Sequence, residues 1–298
     1  MFDENRVTAT KRGVLPQKYF GISQFTTWPW SFERDLQEYP AAGATAIEVC
    51  EFKLDRADYA PQLQAIGPAG LRVSSVQTRL HAIFPDSLAP TPFDPALRIE
   101  HIAAAMTRIA PHVPAKTPFV VITGAAPRGD CDLVFRTLLE GLPTLADHAA
   151  GLGMRLAFEP LNPVLFNTDT SIWGLDAALD LIECIDHPNL GVCLDSWNVF
   201  QTPNLLETIE RARGKIFVVQ LSDWQRPRAN ADRRNIGEGI IPTADIIAAA
   251  RRAGYDGAYV LEIFSEESLP DSLWRGDIAS HLQRNASAFE QLSARILR

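Results

Sequence analysis

Eight short runs of apolar and β-branched residues alternate with longer helix-like segments along the chain, and this alternation limits the possible folds most. Each run is typical of a strand buried on both faces of a parallel sheet. The runs are YFGISQ (19–24), TAIEVC (45–50), RVSSVQ (72–77), FVVIT (119–123), RLAFE (155–159), LGVCLD (190–195), IFVVQLSD (216–223) and AYVLEIF (258–264). Eight strands alternating with helices in 298 residues predict an α/β fold, the (β/α)8 or TIM barrel, as a single domain over residues 1–298.

The segments between the strands have the apolar spacing or the alanine content of helices. They span residues 31–43, 97–113, 132–153, 170–185, 204–213 and 243–254, and a C-terminal helix is predicted at about 277–297. Several end in glycine, which is typical of a helix end before the chain enters the next strand. An open doubly wound sheet is the competing fold, but no GxGxxG sequence follows the first strand. Residues 1–17 are expected to form an N-terminal extension.

Charge and cysteine usage exclude several classes of partner. The formal net charge is -8, so the chain lacks the broad positive field that nucleic acid or an anionic membrane requires. No signal peptide is evident, and no apolar stretch approaches the roughly 20 residues of a membrane helix. The four cysteines form no CxxC pair, which predicts free thiols in a reducing compartment. We therefore expect a cytoplasmic protein whose partner is a small molecule.

Acidic and amide side chains close four consecutive predicted strands, at the edge of the barrel where TIM-barrel active sites lie. They are Glu159, Asp195, Gln220 and Glu262. Buried carboxylates repel one another, and no lysine occurs at comparable strand positions, so a divalent cation between them is expected. Four oxygen ligands without a thiolate favour Mn²⁺ or Mg²⁺ over Zn²⁺. The alternative is that these residues form salt bridges with arginines of the rim.

Other polar residues near the same edge are candidates for catalysis and substrate binding. Glu48 closes the second strand and is a candidate base, a hydrogen-bond anchor, or a partner of Arg79. His81 is the one histidine that follows a strand on the catalytic side, so it is the second candidate base. Gln77 and Arg79 follow the same strand and are expected to contact substrate. Asp223 is expected to orient Gln220 or Arg233 from behind.

Two long insertions, residues 82–96 and 224–242, follow strands and should overhang the mouth of the barrel. Trp28 and Trp197 also lie just past strand ends, where they could stack on a sugar or cyclohexanoid ring or simply pack the loops. The arginine-rich stretch at 226–234 could recognise a carboxylate or phosphate, or remain solvated.

Five segments at these strand ends resemble the signature segments of xylose isomerase-like TIM barrels, the superfamily labelled sugar phosphate isomerase/epimerase. They are LAFEPLNP (156–163), GVCLDSWN (191–198), VVQLSDW (218–224), NIGEG (235–239) and YVLEIF (259–264). The resemblance implies that Glu159, Asp195, Gln220 and Glu262 bind the metal. It also implies a homodimer or homotetramer. Arg233 matches in spacing the substrate-binding arginine of the ketose 3-epimerase branch, with Arg234 as the near alternative.

Two positions depart from the commonest pattern of that superfamily. Gln220 stands where histidine is usual, and in this it is similar to the bacterial 3-dehydroshikimate dehydratases. Asn198 replaces a substrate-contacting histidine that this branch also carries. An asparagine can orient a hydroxyl group but cannot carry a proton near neutral pH.

The resemblance implies a divalent-metal-dependent isomerase or epimerase. It would remove an α-proton from a polyhydroxylated keto compound and stabilise the enolate with the metal. A lyase, a dehydratase of the 3-dehydroshikimate or inosose type, shares this first step and is the first alternative. A non-catalytic barrel that binds sugar or metal is the second.

Overall fold

Eight parallel strands close into one barrel in chain order in the computed structural model, which describes residues 19–226 and 232–296. The strands are β1 (Phe20–Ser23), β2 (Ala46–Cys50), β3 (Arg72–Ala82), β4 (Pro118–Ile122), β5 (Arg155–Phe158), β6 (Leu190–Asp195), β7 (Ile216–Leu221) and β8 (Tyr259–Leu261). Strand β1 pairs with both β2 and β8, which closes the barrel. The predicted (β/α)8 barrel is confirmed, with every strand inside or overlapping its predicted run.

Helices surround the barrel and follow the predicted segments. They are α1 (Phe32–Ala41), α2 (Ala60–Ala65), α3 (Pro95–Ile109), α4 (Cys131–Gly151), α5 (Leu175–Ile185), α6 (Ser196–Val199), α7 (Leu205–Arg211), α8 (Thr243–Arg252) and α9 (Ile278–Ile296). The sequence pattern missed α2 and α6, because six and four residues are too short to show helical periodicity. Within the described part of the chain, no helix is both long and apolar enough to span a membrane.

The N-terminal extension predicted for residues 1–17 lies outside the described residues, as does most of the arginine-rich stretch at 226–234. Strand β3 differs most from its prediction. It runs to Ala82, five residues past the predicted end, because its pairing with β4 resumes at Ala82 and Ile122 after a shift in register. This extension carries the β3 end to the mouth of the barrel.

A small apolar cluster fills the barrel directly beneath the predicted site. It consists of Val120, Ala157, Cys193 and Val218. Side chains two positions apart in a strand share a face, so Ala157, Cys193 and Val218 lie on the same inward face as Glu159, Asp195 and Gln220, one layer deeper. The polar side chains of the predicted site therefore lie directly on an apolar layer.

Candidate metal and active site

Three carboxylates meet at the C-terminal mouth of the barrel. Glu159, Asp195 and Glu262 each offer an oxygen atom, and these atoms all lie within 4.8 Å of one another. Asp195 ends β6, whereas Glu159 and Glu262 follow β5 and β8 by one residue. Their backbone N–H groups still donate to Val121 and Leu221 of the neighbouring strands, at 2.9 and 3.0 Å. The three side chains are buried, and the strand ladder holds them in place.

The guanidinium group of Arg233 lies among these carboxylates. Its Nη1 is 2.9 Å from Asp195 Oδ2 and 2.8 Å from Glu262 Oε2. The rings of Trp197 and Phe264 flank it, with centroids 4.7 and 5.0 Å from Cζ. Arg233 enters from the loop after β7, and its ion pairs with Asp195 and Glu262 match the alternative in which these carboxylates form salt bridges with arginines of the rim.

Two side-chain amides join Glu48 to Glu262. Gln77 Nε2 donates to Oε1 of both, at 3.0 and 2.6 Å, and Gln220 Nε2 does the same at 2.9 and 3.0 Å. The Gln220 oxygen accepts the thiol of Cys193 at 3.0 Å. The amide nitrogen of Gln220, rather than the expected oxygen, therefore faces the carboxylates. Turning the amide by 180° about its last bond exchanges the two atoms.

Asn198 holds two of the three carboxylates. Its Nδ2 donates to Glu159 Oε1 at 2.7 Å and to Asp195 Oδ2 at 2.9 Å. Its own oxygen accepts the backbone N–H of Asn162 at 2.9 Å, which fixes the orientation of the amide. Asn198 stands where the superfamily pattern has a histidine. Its neutral amide uses these hydrogen bonds to position Glu159 and Asp195.

The pKa values of the four clustered carboxyl groups are all raised by burial. Burial, and secondarily the neighbouring Glu262, raises the pKa of Glu48 to about 7. Burial together with the adjacent carboxylates holds the pKa of Glu159 well above its usual range. Burial also raises the pKa of Asp195 and of Glu262, although Arg233 opposes the rise in both. One guanidinium does not balance four carboxyl groups.

This donor set fits a divalent cation. Hard oxygen donors converge from the ends of three strands and the site is buried. Burial and the adjacent carboxylates raise the pKa of Glu159, and a bound cation would oppose that rise by favouring the ionised form. Glu159, Asp195 and Glu262 would hold the ion, and a rotated Gln220 would add a neutral oxygen. Oxygen ligands suit Mg²⁺ and Mn²⁺.

A cavity of about 190 Å³ opens above the carboxylates. Five predicted substrate or catalytic residues line it, namely Gln77, His81, Trp197, Asn198 and Arg233. His81 Nδ1 lies 3.0 Å from the backbone oxygen of Thr78, which can only accept, so Nδ1 carries the proton. Burial lowers the pKa of His81, which leaves a neutral ring with Nε2 as a basic atom.

Three other predicted residues do not line this cavity, although Glu48 has the hydrogen-bond anchor role that was one of its predicted alternatives. The side chain of Arg79 turns away from the cavity. Its Nη2 donates to the backbone oxygen of Glu51 at 3.0 Å, and its guanidinium lies over the ring of Phe52. Trp28 lines a neighbouring cleft. Glu48 lies beneath the cavity and is paired with amides rather than with Arg79. A strand-end position places a residue at the mouth, but the direction of its side chain depends on the strand face.

Asp223 differs from its expected role. Its Oδ1 accepts the backbone N–H of Ile241 at 2.9 Å, and Oδ2 accepts those of Gly237 and Gly239 at 3.1 and 2.9 Å. A carboxylate so occupied orders the loop 235–241. It does not contact the side chains of Gln220 or Arg233, although its backbone pairs with that of Arg234.

The sequence analysis did not identify two residues whose hydrogen bonds support the site, Ser75 and Asn162. Ser75 donates to Glu48 Oε2 at 2.6 Å, and it lies two residues before Gln77 on the same face of β3. The two-residue period of a strand could have identified it. Asn162 supports both Asn198 and the backbone oxygen of Trp197. It lies in a loop after β5, and no periodic pattern marks it.

Replacement of Asn198 by alanine is expected to weaken Mn²⁺ binding by about 10–100-fold, because outer partners that orient metal ligands have effects of this size. Titration calorimetry of the metal-depleted protein measures the change. Asn189→Ala is the matched control, since that amide binds the backbone of Ala146 and Met154 on the far side of the barrel. Equal effects of both variants would contradict a positioning role for Asn198.

Comparison with known proteins identifies a family over most of the chain. Residues 36–285 match the xylose isomerase-like TIM barrel family. Among curated proteins, a 3-dehydroshikimate dehydratase of Pseudomonas putida (strain KT2440) is 31% identical over 141 residues, which is 43% of this chain and 21% of that protein. The match thus spans about a fifth of the length of this relative.

Solved structures share the barrel. A protein from Sinorhizobium meliloti 1021 superposes with a TM-score of 0.80 and 24% identity, covering 92% of this chain and 98% of its own. An L-ribulose 3-epimerase superposes with a TM-score of 0.72 and 22% identity, covering 94% of this chain and 95% of its own. At these identities the similarity establishes the common fold.

Proposed function

The chain belongs to the xylose isomerase-like TIM barrel family, and we propose that it is a divalent-metal-dependent isomerase or epimerase of a polyhydroxylated keto compound. The observation that carries the proposal is the convergence of Glu159, Asp195 and Glu262 at the floor of the cavity. A bound divalent ion would polarise the substrate carbonyl and stabilise negative charge as an α-proton leaves.

The residues of the chain divide the remaining tasks. His81 lines the cavity, and its Nδ1 is bonded to the backbone of Thr78, so Nε2 of this neutral ring is our candidate for the base that takes the α-proton. Glu48 is a positioning residue, because it lies below the cavity and anchors the amides of Gln77 and Gln220. Arg233 and Trp197 line the wall where substrate oxygens would bind.

A dehydratase is the second candidate. Its support is the local identity of 31% to a 3-dehydroshikimate dehydratase and the glutamine on β7. Both reactions begin with removal of an α-proton. They diverge when a β-hydroxyl group either stays or departs as water.

Solvent exchange separates the candidates. Keto-sugars, inososes and 3-dehydroshikimate are incubated in D₂O with the protein and Mn²⁺ or Mg²⁺, then examined by NMR and mass spectrometry. We expect deuterium at the carbon next to the carbonyl with all oxygens retained. Exchange accompanied by loss of water would favour the dehydratase. Tight Mn²⁺ binding without exchange or turnover across the panel would overturn both and favour a non-catalytic barrel.

His81→Gln is expected to lower the exchange rate by about 10²–10⁴-fold, the usual contribution of a general base. His101→Gln is the matched control, because His101 lies on α3 and lines a different cleft from the one above the carboxylates. Metal affinity should be unchanged in both variants.

A further inference from the structure

A second cleft opens directly beside the metal cavity. Its volume is about 260 Å³, and it shares two wall residues, Leu88 and Phe264, with the cavity of about 190 Å³. The remaining aromatic walls are Phe25, Trp28 and Trp274. Because Leu88 and Phe264 line both spaces, the cleft and the cavity are direct neighbours, and a ligand long enough to extend past Leu88 would reach from one into the other.

The aromatic walls are held in fixed positions. Phe25 packs against Phe264 with ring centroids 4.8 Å apart, and Trp28 stacks on Phe25 at 5.7 Å with an interplanar angle of 14°. The indole Nε1 of Trp274 donates to the backbone oxygen of Thr26 at 3.0 Å. These rings are therefore organised before any ligand binds, which lowers the entropy cost of binding.

The boundary between the cleft and the cavity is also fixed. Leu88 lies at the tip of the loop after β3, between two anchored neighbours. The Ser87 N–H donates to Asp169 Oδ1 at 2.7 Å, and the Ala89 N–H donates to Asp86 Oδ1 at 2.6 Å. Leu88, which is 43% exposed, is therefore held as an apolar rim that both spaces share.

The chemistry of the cleft suits a flat, apolar ring. The described residues that line it are mostly aromatic or aliphatic, and none of them is a lysine or arginine. Glu266 is the acidic residue of its wall, and its carboxylate accepts from Ser268. Trp28 is 37% exposed, so part of its ring surface is accessible to a ligand in the cleft.

We propose that this cleft is a subsite for a second ring attached to the substrate, so that the natural substrate is a two-ring compound rather than a free monosaccharide. The inference rests on the proposed function, which places a polyhydroxylated ring over the carboxylates. The second ring presents a C–H-rich sugar face or an aryl face to Trp28. Both faces offer the same stacking chemistry.

Binding of three probes to the Mn²⁺-loaded protein tests the subsite. The probes are methyl β-D-glucopyranoside with one ring, phenyl β-D-glucopyranoside with an aryl second ring, and cellobiose with a sugar second ring. Ligand-observed NMR titrations give the dissociation constants. We expect one or both two-ring probes to bind roughly tenfold more tightly than the methyl glycoside. The tighter of the two identifies the kind of ring.

Trp28→Ala should remove this advantage and leave the affinity for the methyl glycoside unchanged. Trp173→Ala is the matched control, because Trp173 is 43% exposed and lines neither space. Two-ring probes that bind no more tightly than the methyl glycoside, or not at all, would overturn the subsite. Equal effects of the two tryptophan variants would also overturn it. Deuterium exchange on one-ring keto-sugars tests the proposed function separately, since it does not require the cleft.

Discussion

Replacement of Glu159 or Glu262 by glutamine is expected to reduce the affinity for Mn²⁺ by more than two orders of magnitude. This exceeds the roughly 10–100-fold loss that follows removal of an outer partner, because each change removes a charged ligand itself. The oxygens of both residues lie within 4.8 Å of each other and of Asp195, so each is within reach of one ion. Elemental analysis after dialysis, followed by Mn²⁺ titration, measures the loss.

Glu266→Gln is the matched control for both variants. It makes the same chemical change in the segment after β8, but the Glu266 carboxylate accepts a hydrogen bond from Ser268 and is not part of the Glu159, Asp195 and Glu262 cluster. Its metal content should equal that of the unaltered protein. Full metal content in Glu159→Gln and Glu262→Gln would refute the proposed metal site, and with it the proposed chemistry.

Replacement of Arg233 by methionine is expected to destabilise the metal-free protein by about 3–5 kcal/mol, the usual effect of removing one partner from a buried ion pair. The change leaves Asp195 and Glu262 buried without the guanidinium that lies 2.9 and 2.8 Å from them. Denaturant unfolding in the presence of a chelator measures it. Added Mn²⁺ should restore much of the loss, since it neutralises the same oxygens.

The pH dependence of this effect has a definite sign. The pKa values of Asp195 and Glu262 are already raised in the folded protein, and loss of Arg233 raises them further. Folded-state protonation therefore relieves the repulsion at low pH, and stability is lost as pH rises through the folded pKa. The destabilisation should be smaller at pH 5 than at pH 8.

Arg234→Met provides the control for Arg233→Met. Arg234 is the next residue, is 16% exposed, and lies 3.8 and 3.9 Å from Glu238 and Asp271. Its removal should cost no more than about 1 kcal/mol, as for a peripheral ion pair. Equal destabilisation by the two variants, or no recovery with Mn²⁺, would contradict the role of Arg233 as the partner of the buried Asp195 and Glu262 carboxylates.

The sequence predicted the barrel well because its signals are local. Buried strands appear as short apolar runs, and the helix spacing is visible between them. The same reasoning placed Glu159, Asp195 and Glu262 at one edge, since the ends of parallel strands in a closed barrel must meet there. Gln77 and His81 also reach the cavity as expected.

The sequence named Arg233 as a candidate but did not predict the exact contacts that side chains from loops make. Arg233 reaches the carboxylates from the long segment after β7. Leu88 reaches both the metal cavity and the aromatic cleft from the segment after β3. No periodic pattern determines where such segments fold back, because their course depends on contacts with distant elements. The direction of Arg79, away from the cavity, was set by Glu51 and Phe52 in the same way.

By itself, the sequence determined the barrel and the residues that close its strands, because strand order and a two-residue period are local properties. Only the tertiary structure decided that Arg233 pairs with Asp195 and Glu262, that the amides of Gln77 and Gln220 join Glu48 to Glu262, and that an aromatic cleft adjoins the cavity. These features depend on side-chain directions and on loop paths between residues far apart in the chain. Contacts of that kind arise only when the barrel has closed.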